Sequence, residues 1–220
     1  MRTTTWGRTV PPVSRIAFGT WQLGGEWGVF AEDEAKGAVR RACERGVNSF
    51  DTAQAYGFGA SERLLGSAPR DELRRNRAEV VIATKGGLRR TDTGVTRGAG
   101  FRALREGVDA MLTPSGVDHI DLYQVHWPDP QAQFAETAGP LKEPVDSGEI
   151  RHVGVSDFHA EQMAETPGPR RRKLRSRRTA GHVEDSLAAA DIALGETDLK
   201  EIDSIMAAAT PVAGPSPESE

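Results

Sequence analysis

A single cysteine, Cys43, stands in this 220-residue chain, so no disulfide can close within it. It falls in a stretch of helical pattern, where a buried, inert thiol is the ordinary role. No run approaches the roughly 18 apolar residues of a membrane-spanning helix, and residues 1–15 lack the apolar core of a secretory signal. Neither a membrane nor an export route is indicated, and a cytoplasmic location is the expectation. The net charge is −4, so the molecule as a whole has no general attraction for nucleic acid or anionic lipid. His119, His152, His159 and His182 share no ligand spacing with cysteines or carboxylates, and no metal site is expected. The pairs Gly24-Gly25 and Gly86-Gly87 are loop formers, not the G-x-G-x-x-G of a phosphate-binding turn. Acid is absent from one segment: residues 170–178, RRRKLRSRR, hold seven basic side chains and no carboxylate.

Strand and helix signals alternate through the first three quarters of the chain. Short apolar runs at 16–18, 47–50, 80–84, 120–125 and 150–155 predict five strands. Between them, helical spacing predicts helices over 33–45, 62–65, 101–112 and 134–145, with another beginning at 159–164. Ser61 is the expected N-cap of the second helix, and Gly46 and Gly66 the expected terminators of the first and second. The third helix carries Leu104, Val108, Met111 and Leu112 on one face, and Gly139, Pro140 and Pro144 weaken the fourth. Two further helical segments follow, at 181–190 and 196–209, and residues 211–220 are expected to be disordered. Strands that alternate with helices imply parallel βα units. Their runs are apolar throughout, as in a sheet covered on both faces.

Four chemically distinct side chains follow three of these strands: Asp51 and Tyr56 after the second, Lys85 after the third, His126 after the fourth. Taken singly, each has an ordinary reading. Asp51 is a turn residue, Tyr56 partly buried packing, Lys85 a solvated charge, His126 a satisfied core histidine beside Trp127. Taken jointly, they gather where catalytic groups collect in a parallel β/α barrel, at the carboxyl ends of successive strands. Trp6 reads as packing at the opposite end.

The strings NSFDTAQAYGFGASERLLG, VIATKGG and HIDLYQVHWPDP closely resemble the aldo-keto reductases, NADPH-dependent carbonyl reductases built on a (β/α)8 barrel. AFGTWQLGG at the first strand and EIRHVGVSDF at the fifth extend the resemblance over residues 1 to about 165, and it resumes near 178. The resemblance implies a small-molecule carbonyl substrate and NADP(H) as cofactor. It makes Tyr56 the general acid, with Lys85 lowering a phenol pKa that is ordinarily about 10. Asp51 would hold Lys85, and His126 would orient the substrate oxygen. Cofactor contacts would come from Thr20, Trp21, Asp51, Ser156, Asp157, Arg178, His182, Asp185 and Ser186. Asp157 departs from the family's usual asparagine, exchanging an amide for an anion. His182, Asp185 and Ser186 fall at the adenosine positions, where two shorter side chains replace the family's usual ones.

The expected fold class is therefore an α/β, (β/α)8 TIM-barrel type in incomplete form: about five βα units plus C-terminal helices. Residues 1–165 form the partial barrel, 166–178 a basic linker or disrupted segment, 179–210 C-terminal helices of the same domain, and 211–220 a tail. Three further units would need about 90 residues, and about a dozen separate the fifth helix from the next. The run 170–178 holds one apolar residue, Leu174, and cannot form a buried strand. It reads as an anion-binding patch, a linker, or the mark of a deletion or frame disturbance in the gene. The first lacks aromatic interleaving, which argues against nucleic acid, and family sequence that resumes in register favours the third. Open strand edges would then invite self-association. A catalytically silent remnant, or a nucleotide-sensing subunit of the same ancestry, is the competing expectation.

Overall fold

The computed structural model of the chain describes residues 1–5, 11–25, 28, 30–68, 76–92, 94–98, 100–129, 139–159, 183, 187 and 195–208. Two units divide the chain, Met1–Ala190 and Asp191–Glu220. In the first, β1 (Thr3–Thr4) pairs antiparallel with β2 (Val13–Ser14). The strands β3 (Phe18–Gly19), β4 (Ser49–Asp51) and β5 (Val81–Gly86) follow, with helices α1 (Glu32–Glu44) and α2 (Ala60–Ser67) between them. A hairpin of β6 (Leu88–Thr91) and β7 (Gly94–Arg97) precedes α3 (Phe101–Ser115). Then come β8 (Ile120–Val125), the short α4 (Lys142–Asp146) and β9 (Ile150–Val155). In the second unit, α5 spans Glu196–Ala208.

The five central strands pair in the order β3-β4-β5-β8-β9, all parallel, with Phe18 opposite Phe50, Asp51 opposite Ala83, Lys85 opposite Gln124 and Val125 opposite Val155. This is a β/α-barrel arrangement whose sheet, among the described residues, stays open. β3 and β9 each pair on one side. Parallel strands need long crossovers, and the helices supply them while covering the sheet. The α1 face of Ala35, Ala38, Val39 and Ala42 is fully buried, and Glu32, Asp33 and Glu34 sit in its first turn, where the helix dipole favours acids. Every residue of β5 is buried. Leu104, Val108 and Met111 of α3 join Phe50, Ile82, Ile120 and Tyr123 of the sheet in one core, which also holds Val183 and Leu187. Burial of a side chain such as Leu104 stabilises the fold by about 1.5–3 kcal/mol.

The amino ends of the strands are tied by charge. Asp121, without exposed surface, accepts hydrogen bonds from Arg77 (2.8 Å), the Ile82 backbone (3.0 Å) and Arg151 (3.1 Å). His119 lies between Asp118 and Asp121, and burial with the nearby guanidiniums holds its pKa below the ordinary value.

Several local expectations differ from the fold. Ser61 is not the cap of α2: the helix begins one residue earlier, after Gly59, and the Ser61 hydroxyl is spent on Thr20 and Thr52. Gly66 lies inside α2, pressed against the Ser115 backbone of α3, and does not end the helix. The first strand is later and shorter than 16–18 suggests, and α3 runs on to Ser115. Of the helix expected over 134–145, residues 142–145 lie in α4 and 139–141 in a 3-10 turn, while 134–138 lie outside the described residues. So do Trp6, the basic run 170–178, the segments 159–164 and 181–190 except His159, Val183 and Leu187, and the tail. Neither antiparallel pairing, β1 with β2 or β6 with β7, shows in the apolar pattern of the sequence.

Candidate active site

Lys85 organises the carboxyl ends of β4 and β5. Its ammonium donates to Asp51 Oδ2 at 2.8 Å, to the Thr52 carbonyl at 2.9 Å and to the Tyr56 hydroxyl at 3.4 Å. The local sequence folds this way because the loop after β4 is laced to β5: Thr52 N–H donates to Ala83 O, and Gln54 N–H to Lys85 O. Tyr56 closes the next turn with its N–H on Ala53 O. That loop packs backbone against backbone on the turn Trp21–Gly24. A Cβ on Gly24 would lie 2.6 Å from the Tyr56 carbonyl carbon, and one on Gly57, at φ +65°, would overlap Gly24 O. Only glycine at both positions permits the approach.

Burial alone would lower the Lys85 pKa. The neighbouring Asp51 carboxylate and the Tyr56 phenol outweigh it and leave the pKa above the ordinary value. The site therefore keeps a buried cation beside a phenol oxygen. Two rings flank that phenol. Trp21 stacks on Tyr56 with centroids 6.2 Å apart, and His126 meets it edge-on at 5.9 Å. His126 comes from the residue after β8, is buried, and donates its backbone N–H to Gly86 O.

Of the residues expected from the sequence, the fold brings Asp51, Tyr56, Lys85 and His126 together with Thr20 and Trp21. Thr20 is fully buried, and its hydroxyl is held between Ser61 and the Asp51 carbonyl, so it braces the site from behind. Ser156 and Asp157 follow β9 beside the site, Ser156 N–H bonding Val125 O and its hydroxyl donating to Asp157 Oδ2 at 3.0 Å. Asp157 has φ +57°, a left-handed conformation that Asn and Asp tolerate best among residues with a Cβ. Arg178, His182, Asp185 and Ser186 lie outside the described residues.

Three groups stand out in the fold and not in the sequence pattern. Gln124 of β8 is almost wholly buried opposite Lys85. Arg90 and Arg97 of the β6–β7 hairpin lie over the rings of Phe58 and Trp127 at 4.7 and 5.1 Å, and the T-D-T-G turn at 91–94 was the available signal. Glu62 of α2 is buried against Thr84, and burial pushes its carboxyl up to about 7 against the opposing pull of the Thr84 hydroxyl, Arg63 and Lys85. Among the described residues no group of three or more His, Cys, Asp or Glu is placed to hold a metal, and no helix is long and apolar enough to cross a membrane.

Parallel βα units that converge a carboxylate, an ammonium, a phenol and an imidazole at successive strand ends define a protein of the β/α-barrel class with these four groups at the carboxyl face. Residues 15–176 match the aldo/keto reductase family, and the chain belongs to it. It is 43% identical over 151 residues to the aldo-keto reductase YhdN of Bacillus subtilis, a match covering 68% of this chain and 45% of that protein. Among solved structures it resembles the glycerol dehydrogenase of Gluconobacter oxydans (TM-score 0.65, 34% identity, 74% of this chain and 50% of that one). It shares its fold with an aldo/keto reductase from Klebsiella pneumoniae in complex with NADP and acetate (TM-score 0.71, 19% identity, 90% and 94% of the two chains). The chain thus spans about half the length of the curated relatives it matches.

Proposed function

We propose that this chain carries the proton-donating half of a carbonyl-reducing site, working with NADP(H) on an aldehyde or ketone. The observation that carries this reading is the ammonium of Lys85 bonded at once to Asp51 and to the Tyr56 hydroxyl in a nearly water-free position. A carbonyl that receives hydride becomes an alkoxide and needs a proton. A phenol gives one readily only when its departing negative charge is stabilised, and Lys85 sits where it can do so. Asp51 keeps Lys85 charged and fixed. His126, edge-on to the Tyr56 ring, orients the substrate oxygen toward the phenol.

The donor set fits a hydride-carrying nicotinamide. It supplies a proton and a fixed cation, which such a carrier lacks, and the bound cofactor would supply the hydride. Ser156 and Asp157 would hold the nicotinamide carboxamide. The Asp157 carboxylate can accept from the amide nitrogen, while the donor that asparagine would offer the amide oxygen is lost. Trp21 would help shape the pocket beside Tyr56, and Arg178, His182, Asp185 and Ser186 would meet the adenosine end.

NADPH fluorescence quenching and turnover of 4-nitrobenzaldehyde test the reading. Tyr56→Phe should lower turnover on the order of 10²–10⁴-fold and leave NADPH binding in place. Turnover that survives the change overturns Tyr56 as the donor. NADPH binding with no turnover in the unaltered chain supports a silent, nucleotide-sensing protein instead.

A further inference from the structure

Among the described residues two acids are buried, Asp121 and Glu62, and Glu62 stands apart. Asp121 is met by two guanidiniums and a backbone N–H. Glu62 has no exposed surface, its Oε1 accepts from the Thr84 hydroxyl at 2.8 Å, and no hydrogen-bond partner meets its Oε2 among the described residues. A buried carboxyl so poorly paired is costly as an anion. It occupies the junction between α2 and the site. Thr84 immediately precedes Lys85 on β5, so the two side chains leave opposite faces of the same strand end. Ser61, the residue before Glu62, bonds Thr20 and Thr52, and the Thr52 carbonyl in turn holds the Lys85 ammonium. Covalent and hydrogen-bonded paths therefore run from Glu62 to Lys85 on both sides.

We propose that Glu62 is a positioning residue for the Lys85–Tyr56 pair, its carboxyl on the back of β5 setting the electrostatic bias under which Tyr56 releases its proton. This rests on Tyr56 as the proton donor. A neutral Glu62 leaves the full effect of the Lys85 charge to the developing phenolate. An ionised Glu62 draws on that charge and opposes the phenolate. The change takes place near neutrality, because burial raises the carboxyl to about 7. The charged and titratable groups facing it are Arg63 on its own helix, Lys85 on β5 and Tyr123 on β8. The Tyr123 hydroxyl is itself pushed well above its usual range by burial, and Arg105 and Asp109 of α3 also act on it. Neither Lys85 nor Tyr123 changes charge near neutrality, so the switch belongs to Glu62.

Infrared difference spectroscopy of the whole chain across neutral pH tests this without turnover. The C=O band of a protonated carboxylic acid should fade with a midpoint near 7 and be missing from Glu62→Gln. In Lys85→Met that midpoint should move up, because a cation that favours the carboxylate is gone. Should Lys85→Met fail to fold, Lys85→Gln serves the same comparison. A midpoint that ignores both Lys85 substitutions overturns the coupling, and a chain with no such band overturns the proposal outright. In NADPH-dependent reduction, the unaltered chain should slow severalfold as pH rises through about 7, while Glu62→Gln stays level with an unchanged KM. Identical pH profiles overturn the positioning role. Failure of the Tyr56→Phe test would overturn the proton-donor reading while leaving the infrared midpoints intact, so the two failures are separable.

Discussion

Glu62→Gln makes a stability prediction that does not depend on any activity. The Glu62 carboxyl titrates at about 7 in the folded chain against an ordinary value of 4.5, and desolvation is the main cause. Between those two values the folded chain keeps a proton that the unfolded chain has lost. Stability must then fall as pH rises through that window, and the loss is complete above about 7. The difference corresponds to about 3 kcal/mol, most of which falls between pH 5 and pH 8. Glutamine carries no such proton. It retains an oxygen for the Thr84 hydroxyl, and its amide nitrogen sits near where Oε2 has no partner, a cost of about 1–3 kcal/mol that does not vary with pH. His119 and every other titrating group are common to both proteins and cancel in the comparison. Urea denaturation of both chains at pH 5 and pH 8 measures the effect. The stability of the unaltered chain relative to Glu62→Gln should drop by about 2–3 kcal/mol between the two pH values. A relative stability constant to within about 0.5 kcal/mol would refute the burial argument.

Asp51→Asn removes the anion at 2.8 Å from Lys85, so burial dominates and the Lys85 pKa falls; the alkaline limb of the rate–pH profile should move to lower pH, and an unmoved limb refutes the pairing. Asp121→Ala removes the buried acceptor shared by Arg77, Arg151 and the Ile82 N–H, while Arg77 keeps Asp118 and the Val80 and His119 carbonyls, and should cost about 1–3 kcal/mol in urea denaturation. Gly66→Ala drives a methyl into the Ser115 backbone and should cost about 1–3 kcal/mol or more, whereas Gly37→Ala, in open space on α1, should stabilise by about 0.5–1 kcal/mol. Equal melting temperatures for the two glycine variants would contradict the close approach of α2 and α3.

What the sequence by itself determined is the order of elements and the chemistry at their ends. The runs 120–125 and 150–155 coincide with β8 and β9, and Ala35, Ala38, Val39 and Ala42 mark the buried face of α1, because apolar periodicity records which side of an element meets the core. Asp51, Tyr56, Lys85 and His126 were legible because motif spacing sets which residues stand at or just past the carboxyl ends of successive strands, Asp51 ending β4 and Lys85 lying in β5. Three things were decided only in the tertiary structure. Ser61 has the residue type and position of a helix cap, yet its hydroxyl serves Thr20 and Thr52, because partners distant in sequence outcompete the local N–H groups. Gly66 reads as a terminator, yet it is a contact point, since a missing side chain looks the same in sequence whether it serves a turn or a neighbouring helix. Nothing in the sequence marks Glu62 as buried. Its burial on Thr84, and the raised pKa that follows, exist only once α2 is set against β5, because desolvation is a property of the surroundings and no residue carries it alone.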